Sequence, residues 1–357
     1  MGTHKYMVFT KCLTYNHAPY IIDAMNGFCM QKTSFPFLIT IIDDASTDGE
    51  PEIINTYLQE NFNLKDAKVA RNEENEDYRL IYAQHKTNTN CFFAVFLLKY
   101  NHHSIKKNKS LYYADWEDSS RYVAFCEGDD YWTDPQKLQK QVDFMDAHPE
   151  YVFCCHRFDI FEQNKNLFRK EYGYLLYQEG QDLEITEQIF FQTWITQILT
   201  TLFRKDAVKQ ARATCRGKYN TARDVYLFYE LLQLGKGISL NQKMGVYRWH
   251  DGGIYRGADY ASRYTSGVNV YTAIYKHHPN DTLLLPKIIY NYDRLLRYTH
   301  ITSSGNKRLK EALSYCTTWK QKIRMTVMYI IHPSFFVILY KLFEYQWRKK
   351  CYISSQS

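Results

Sequence analysis

Short apolar runs that end in polar or acidic residues recur along the first half of the chain. Residues 7–13, 37–42 and 122–126 are three such runs, rich in β-branched and aromatic side chains. Runs of this length and composition, stopped by turn residues, are typical of buried strands. The first two are followed by residues 19–28 and 51–58, whose apolar positions recur at helical spacing. This alternation predicts an α/β fold with a doubly wound, mostly parallel sheet.

The region between residues 63 and 121 has a less regular pattern. Its short apolar run at residues 80–83 predicts a further strand, and the broad apolar face of residues 90–100 predicts a helix. Residues 101–120 are mostly polar and contain a lysine-rich stretch, which predicts an exposed loop.

Alternating elements are predicted again in the next part of the chain. Asp134 and Pro135 have the residue types of a helix N-cap and first helical position. Residues 151–155 form another strand-like apolar run, residues 224–234 have a helical pattern, and residues 239–248 resemble an extended segment.

From about residue 257 the pattern is helical, so we expect an α/β domain at residues 1–256 and a mainly helical region at residues 257–357. The net charge of +7 is unevenly divided between these parts. Residues 300–357 contain ten Lys and Arg against two Glu, an excess of +8, which leaves the rest of the chain near −1. This basic excess lies beside apolar residues in a tail, which argues against nucleic-acid binding.

The basic tail contains one mostly apolar stretch, residues 325–340, which residues 332–334 interrupt with His, Pro and Ser. The stretch is too short and too broken to span a bilayer. It could lie in the interface of an anionic membrane, attracted by the flanking basic residues. Alternatively it forms a helical hairpin packed on the first domain, and the sequence leaves both possibilities open.

Cysteine and histidine usage gives no indication of disulfides or of a structural metal. The nine cysteines contain no C-x-x-C pair, and the twelve histidines show no zinc-binding spacing. With no signal peptide apparent at the start of the chain, we expect reduced thiols and a cytoplasmic location.

Acidic side chains follow two of the predicted strands. They are Asp43, Asp44 and Asp48 after the second run, and Glu127, Asp129 and Asp130 after the third. Two parallel strands place such residues together at the carboxyl edge of an open α/β sheet, where this architecture binds ligands. Because clustered carboxylates repel each other, we expect a divalent cation that carries a phosphorylated substrate.

Four segments together resemble glycosyltransferase family 2, the inverting enzymes of GT-A fold, of the type that builds bacterial surface polysaccharides. The segments are residues 14–17, 42–49, 127–132 and 247–250, and the resemblance covers about residues 5–255. It implies transfer of a single sugar from a nucleotide-diphosphate sugar, a UDP-sugar, to a glycan or lipid-linked glycan. It also implies a Mn²⁺ or Mg²⁺ cofactor. The basic, interrupted apolar tail, rather than the resemblance, predicts a peripheral position on the inner face of the membrane.

The resemblance assigns roles to individual residues, with Asp44 accepting the N–H of the base and Asp224 acting as the catalytic base. The full set is Thr14, Tyr15, Asn16, Asp43, Asp44, Glu127 and Gly128 for the nucleotide, Asp129 and His250 for the metal, Asp224 for catalysis, and Asp130, Trp132 and Arg248 for further donor or acceptor contacts. Each also has a structural interpretation: acidic turns and helix caps use Asp, and a lone His is often structural.

Two positions depart from the family pattern. Glu127 stands where members usually have Asp, and Arg223 replaces the first acid of the pair that precedes the catalytic helix. These departures keep an alternative open, in which the chain is a sugar-nucleotide-binding or scaffold protein of the same fold with impaired turnover. A nucleotidyltransferase is less favoured, because no glycine-rich loop follows the first strand.

Overall fold

The computed structural model describes residues 5–251, 259–299 and 303–330. Within these residues the strands are β1 Tyr6–Thr14, β2 Phe37–Asp43, β3 Ala70–Glu74, β4 Tyr78–Gln84, β5 Cys91–Leu98, β6 Ser120–Phe125, β7 Tyr131–Trp132, β8 Tyr151–Glu162, β9 Leu167–Lys170, β10 Leu183–Ile185, β11 Leu202–Arg204 and β12 Lys236–Trp249. The α-helices are α1 Ile21–Cys29, α2 Glu50–Asn61, α3 Ala114–Asp118, α4 Lys137–Ala147, α5 Glu187–Gln192, α6 Lys205–Lys218, α7 Asp224–Leu232, α8 Tyr260–His277, α9 Leu284–Leu296, α10 Ser303–Tyr315 and α11 Trp319–Ile330.

All twelve described strands belong to one sheet with a parallel centre. The strand order is β10-β12-β8-β11-β6-β1-β2-β5-β4-β3, with β7 paired to β12 and β9 paired to β8. Strands β6, β1, β2 and β5 are parallel to their neighbours within this group, and β8 is parallel to β12. Antiparallel strands extend the sheet on both sides of this centre. The predicted α/β class with a parallel core is therefore confirmed.

Helices cover both faces of the sheet and create two hydrophobic cores. Helices α1, α2 and α4 pack on one face through residues such as Met25, Ile54 and Val142. Helices α6 and α7 pack on the other face with the C-terminal helices, which join the same core through Ile274 and Ile288. Because both faces are covered, the central strands read as nearly continuous apolar runs.

The helix predicted at residues 90–100 is wrong, because Cys91–Leu98 within this segment form strand β5. The strand lies between β2 and β4 and is buried on both faces, as the pattern of six buried positions out of eight shows. A strand buried on both sides has no alternation of polar and apolar positions, so periodicity could not distinguish it from a buried helix.

The loop predicted at residues 101–120 is only partly a loop. It contains the short helix α3, and His102 in its first part is fully buried. The helix predicted at Asp134 begins later, at Lys137, because a turn closed by the bond from the Lys137 N–H to the Asp134 carbonyl precedes it.

The C-terminal region is helical wherever it is described, as α8 to α11. The predicted boundary at residues 256–257 lies outside the described residues, as do residues 331–357 with most of the apolar stretch of the tail. No helix among residues 5–251, 259–299 and 303–330 has the length and apolar character needed to cross a membrane.

Candidate active site at the carboxyl edge of the sheet

The two acidic clusters lie on either side of the end of strand β1. Thr14, the last residue of β1, is paired in register with Asp43 of β2. The Asp44 N–H donates to the Thr14 carbonyl at 3.0 Å, and the Gly128 N–H donates to the Leu13 carbonyl at 3.0 Å. The backbone therefore fixes both clusters at one edge of the sheet, as the sequence predicted, with β1 between them.

The carboxylate of Asp44 is neutralised by the protein itself. Its Oδ1 accepts a hydrogen bond from the His102 N–H at 2.8 Å, and its Oδ2 accepts from the His103 N–H at 3.0 Å and from Lys109 Nζ at 2.7 Å. Burial raises the pKa of Asp44, but the Lys109 and backbone hydrogen bonds outweigh it and the net pKa is lowered. A carboxylate offers about four acceptor positions, and three are used here.

Asp43 is fully buried and caps the turn that leads to helix α2. Its Oδ1 accepts hydrogen bonds from the Ser46 N–H at 3.1 Å and from the Ser46 hydroxyl, whereas its Oδ2 has no partner in the described part of the chain. Burial raises the pKa of Asp43 to about 6, despite the opposing effect of the Ser46 hydrogen bonds. Asp43 therefore stabilises the turn beneath the proposed nucleotide site.

The cluster after β6 is built differently, because Asp129 faces two histidines. Asp129 Oδ2 lies 2.9 Å from His250 Nε2 and 3.9 Å from His17 Nε2. Ligand atoms of all three side chains lie within 4.8 Å of one another, a spacing that suits one metal ion. Asp129 Oδ1 is buried and has no hydrogen-bond partner among the described residues. Burial raises the pKa of Asp129, but the His250 hydrogen bond and the two imidazoles outweigh it, so the net pKa is lowered.

His17 is a site residue to which the sequence analysis gave no role. It comes from the turn after β1, its Nδ1 lies 3.2 Å from Thr14 Oγ1, and its N–H donates to Glu50 Oε2 at 2.9 Å. The segment that contains it was recognised as a family motif. Nothing in its spacing pointed to a metal, because its partners Asp129 and His250 are distant in the sequence.

Gly128 allows this arrangement by lacking a side chain. A Cβ at this position would lie 2.2 Å from Thr14 Oγ1 and 3.2 Å from His17 Nδ1. Only glycine therefore lets the β6 turn approach the end of β1 this closely.

Glu127 and Asp224 are two carboxylates with no hydrogen-bond partner within the described residues. Both side chains reach solvent, yet protein atoms lie close enough around each carboxylate to desolvate it in part. Desolvation, followed by the charges of Asp129 and Asp224, raises the pKa of Glu127 to about 7. Desolvation also raises the pKa of Asp224, while the positive charges of Lys11 and Arg223 lower it in part. The arrangement leaves two carboxylates available to a substrate.

Arg248 braces the site from behind. Its Nε donates to the Asp129 carbonyl at 2.8 Å, and its N–H donates to Asp130 Oδ1 at 2.8 Å. The guanidinium also binds Gln163 at 2.6 Å and Asp23 at 2.6 Å. Because its guanidinium is engaged in these contacts, Arg248 serves to connect strand β12 to the turn that holds Asp129.

Trp132 and Asp130 lie behind the site surface. Trp132 is 1% exposed, and its indole N–H donates to the Leu199 carbonyl at 2.9 Å. Asp130 is also buried, and burial together with the Asp129 charge raises its pKa well above the ordinary range. Both residues therefore support the turn around Asp129, and neither presents an open side chain to a donor or acceptor.

Tyr15 and Asn16 lie at the rim of the same edge. Tyr15 is 44% exposed, which leaves its ring free to face a planar group. Asn16 adopts a left-handed backbone conformation with φ of 57°, and its Oδ1 accepts from the Thr47 N–H at 2.9 Å. Asn16 thereby joins the turn after β1 to the turn after β2.

Comparison with known families shows to which family this chain belongs. The family model "Glycosyl transferase family 2" matches residues 13–86 and 81–210, which together cover more than half of the chain. The chain belongs to glycosyl transferase family 2. The predicted family is confirmed, and with it the glycosyltransferase class.

The matches to curated relatives cover only part of the chain. Uncharacterized proteins of Mycobacterium tuberculosis and Mycobacterium bovis are 36% identical over 144 residues, which is 40% of this chain and 33% of each relative. The chain thus spans about a third of the length of the curated relatives it matches.

Two solved structures resemble this chain at low sequence identity. S. aureus TarS 1–349 in complex with UDP-GlcNAc is 15% identical, with a TM-score of 0.45 over 90% of this chain and 79% of that one. The mannosyltransferase PcManGT of Pyrobaculum calidifontis, in complex with GDP-Man and Mn²⁺, is 13% identical, with a TM-score of 0.46 over 93% of this chain and 87% of that one.

Proposed function

We propose that this family 2 chain is an inverting glycosyltransferase that moves one sugar from a UDP-sugar to a glycan or lipid-linked glycan acceptor. The observation that carries the proposal is the open cluster after β6. There Asp129 has a buried oxygen without a partner, and Asp224 and Glu127 stand nearby without hydrogen bonds in the described residues. Uncompensated carboxylates at a ligand-binding edge are suited to a cation and a substrate.

The nucleotide is proposed to lie along the ends of β1 and β2. The exposed ring of Tyr15 offers a stacking surface for the base, and Asp44 retains about one acceptor position for the base N–H. Thr14, Asn16 and Asp43 shape this surface from below. Glu127 and Gly128 continue it towards the ribose.

A divalent cation, Mn²⁺ or Mg²⁺, is proposed at Asp129 and His250. The residues fit such an ion, because Asp129 Oδ1 is an orphaned buried oxygen and His250 Nε2 lies 2.9 Å from Oδ2 of the same carboxylate. When bound, a cation of this kind neutralises the charge of the departing diphosphate. The chain's own contribution is to hold these ligands rigidly through Arg248.

Asp224 is proposed as the base that takes the proton of the acceptor hydroxyl. It is the first residue of α7, it has no hydrogen-bond partner among the described residues, and Lys11 and Arg223 favour its ionised form. A carboxylate whose pKa is raised above the ordinary value is a stronger base when ionised, which suits general-base catalysis. Arg223, which departs from the family pattern, thus supports this role electrostatically.

A membrane-bound acceptor is proposed because helix α11 presents an apolar stripe to solvent. The exposed side chains lie at helical spacing and are Trp319, Ile323, Val327 and Ile330. The exposed basic residues Lys320, Lys322 and Arg324 lie beside them. This combination is typical of helices that lie in the interface of anionic membranes. We propose reversible attachment to the inner face of the cell membrane.

Vesicle flotation tests the membrane contact at the described part of the tail. Ile323→Asp should reduce flotation with anionic vesicles, and Leu111→Asp, which places the same change at an exposed position elsewhere, should not. High salt should weaken the binding of the unchanged protein, because each basic residue contributes on the order of 1 kcal/mol near the surface. Equal flotation of both variants would contradict the role of α11.

The reaction itself is tested by screening nucleotide sugars for nucleoside diphosphate release in Mn²⁺, followed by proton NMR of the product. We expect one UDP-sugar to be turned over and the anomeric configuration to be inverted. Tight donor binding without release in the presence of acceptor extracts would instead support the binding-protein alternative.

A further inference from the structure

We propose that His17 is a third protein ligand of the cation, so that the site binds a divalent transition metal before the nucleotide sugar arrives. The inference rests on the proposed function for its location, but it makes a claim of its own. A cation held by one carboxylate and one imidazole would depend on the diphosphate for most of its ligands. A cation held by three side chains would not.

The first support is the position of the His17 ring. Its Nε2 lies 3.9 Å from Asp129 Oδ2, and the ligand atoms of His17, Asp129 and His250 all lie within 4.8 Å of one another. Two ligands of one cation, each about 2.1 Å from it, lie roughly 3 to 4 Å apart. The three groups are therefore close to the spacing that a shared ion requires, and small side-chain movements would complete it.

The second support is the protonation of the ring. The Thr14 hydroxyl donates its only hydrogen to Glu50 Oε1, so towards His17 Nδ1, at 3.2 Å, it acts as an acceptor. In a neutral imidazole the proton then sits on Nδ1, and the lone pair lies on Nε2, which is 3.9 Å from Asp129 Oδ2. An outer hydrogen bond to the second ring nitrogen is the usual support of a metal-binding histidine.

The third support is that this outer shell is held in place from several sides. Glu50 is fully buried, and besides the hydrogen bond from Thr14 it accepts one from the His17 N–H at 2.9 Å. Ser46 Oγ lies 2.9 Å from Glu50 Oε2 and shares its single hydrogen between Glu50 and Asp43. Gly128 leaves the space that Thr14 and His17 occupy. The His17 backbone, its Nδ1 atom and the space around its ring are thus all fixed by neighbouring residues. A histidine that merely packed against the site would not require all three.

The donor set then determines the preferred metal. Imidazole nitrogens suit transition metals, whereas Mg²⁺ prefers oxygen ligands and water. Two histidines with one aspartate therefore favour Mn²⁺ and related ions over Mg²⁺. Replacing His17 with a carboxylate should move that preference towards Mg²⁺.

The test uses untagged full-length protein and Mn²⁺, with electron paramagnetic resonance reporting free Mn²⁺ in the absence of any nucleotide. We expect the unchanged protein to bind one Mn²⁺, and His17→Gln to weaken that binding by about tenfold or more, the scale on which a metal site responds to lost support. His148→Gln, the same change at a half-exposed histidine on the far end of α4, should bind Mn²⁺ normally. Mg²⁺ should compete better against Mn²⁺ in His17→Asp.

Thr14→Val provides a second variant that keeps His17 and removes the Thr14 hydroxyl, with its hydrogen bonds to His17 Nδ1 and Glu50. It should also weaken nucleotide-free Mn²⁺ binding, and circular dichroism should show that the variants remain folded. The proposal is overturned if the unchanged protein binds Mn²⁺ only with a nucleoside diphosphate, or if His17→Gln and Thr14→Val bind Mn²⁺ like the unchanged protein. Either of these results would overturn the role of His17 but would leave Mn²⁺-dependent donor turnover, and so the proposed function, intact. Mn²⁺ binding by His17 without any donor turnover would contradict the proposed function and leave the role of His17 in place.

Discussion

The ends of strands β2 and β6 carry similar acidic sequences and have opposite surroundings. At the end of β2, Asp44 is held by two backbone N–H groups and by Lys109. At the end of β6, Asp129 has a buried oxygen without a partner in the described residues and faces His250 and His17. Asp44 in the first cluster is compensated by the fold, whereas Asp129 in the second keeps a carboxylate oxygen available to a ligand.

The difference shows that two neighbouring acidic clusters can have different roles, one in stabilising the fold and the other in binding a ligand. Asp44 fixes the loop that contains His102 and Lys109. This loop lies beside the proposed nucleotide site. Arg248 holds the backbone of Asp129, His250 contacts its Oδ2, and its Oδ1 has no partner in the described part of the chain. Substitutions at the two positions should therefore fail in different ways.

The largest effect is expected for Asp129→Asn. An amide keeps the shape but loses the charge that a divalent cation needs, so metal-dependent donor binding and turnover should be abolished while the fold survives. Donor titration in Mn²⁺ and measurement of nucleoside diphosphate release check this. Unchanged nucleotide affinity and turnover would remove Asp129 from the metal site.

Asp224→Asn should cut transfer by roughly 10² or more, the usual scale for loss of a general base, and leave donor binding within about threefold. Separate measurement of the donor dissociation constant and of single-turnover rates distinguishes these effects. If donor binding and turnover fell together, or if turnover persisted, the base would lie at another residue.

Asp44→Asn should lose stability rather than Mn²⁺ binding, because it removes a buried charge with three donors around it. We expect a loss of about 2 kcal/mol in the free energy of unfolding, on the scale of hydrogen bonds to charged groups. Denaturant unfolding measures it, with Lys109→Met as a companion of smaller effect and the same sign. Mn²⁺ binding should be unaffected, and a stability equal to the unchanged protein would contradict the structural role of Asp44.

The smallest effect is a change in pH dependence for Lys11→Met. The groups that act on Asp224 are Lys11 and Arg223, which lower its pKa, and Glu127, a nearby carboxylate. Removing the Lys11 charge should raise the pKa of Asp224 further, so that activity is lost at a higher pH as the solution is acidified. A pH profile of kcat/KM checks the direction, and an unchanged or lowered acid limb would show that Lys11 does not act on the base.

The sequence was sufficient to predict features that depend on neighbours along the chain. The runs at residues 37–42 and 122–126 indicated strands ending in acidic turns, and both turns lie at one edge of the sheet. Strand β5 was missed because burial on both faces removes the periodicity that separates strands from helices.

Features that depend on tertiary contacts were out of reach. The compensation of Asp44 comes from a loop more than fifty residues later, and it requires the buried turn at His102. His17 meets Asp129 and His250 only after the strands are assembled, so no local spacing could mark it. The sequence could therefore identify both acidic clusters, but it could not show which of them remains open.

The central claim is that the carboxylates after β6 hold a metal and a nucleotide sugar for transfer. Nucleoside diphosphate release from the nucleotide sugar selected by screening, measured in Mn²⁺ and again after chelation with EDTA, tests it most directly. We expect the unchanged protein to turn over the donor in Mn²⁺ and to lose this activity after chelation. Asp129→Asn should be inactive in both conditions, and His148→Gln should behave like the unchanged protein. Turnover that persists in EDTA, or that Asp129→Asn retains in full, would contradict the account.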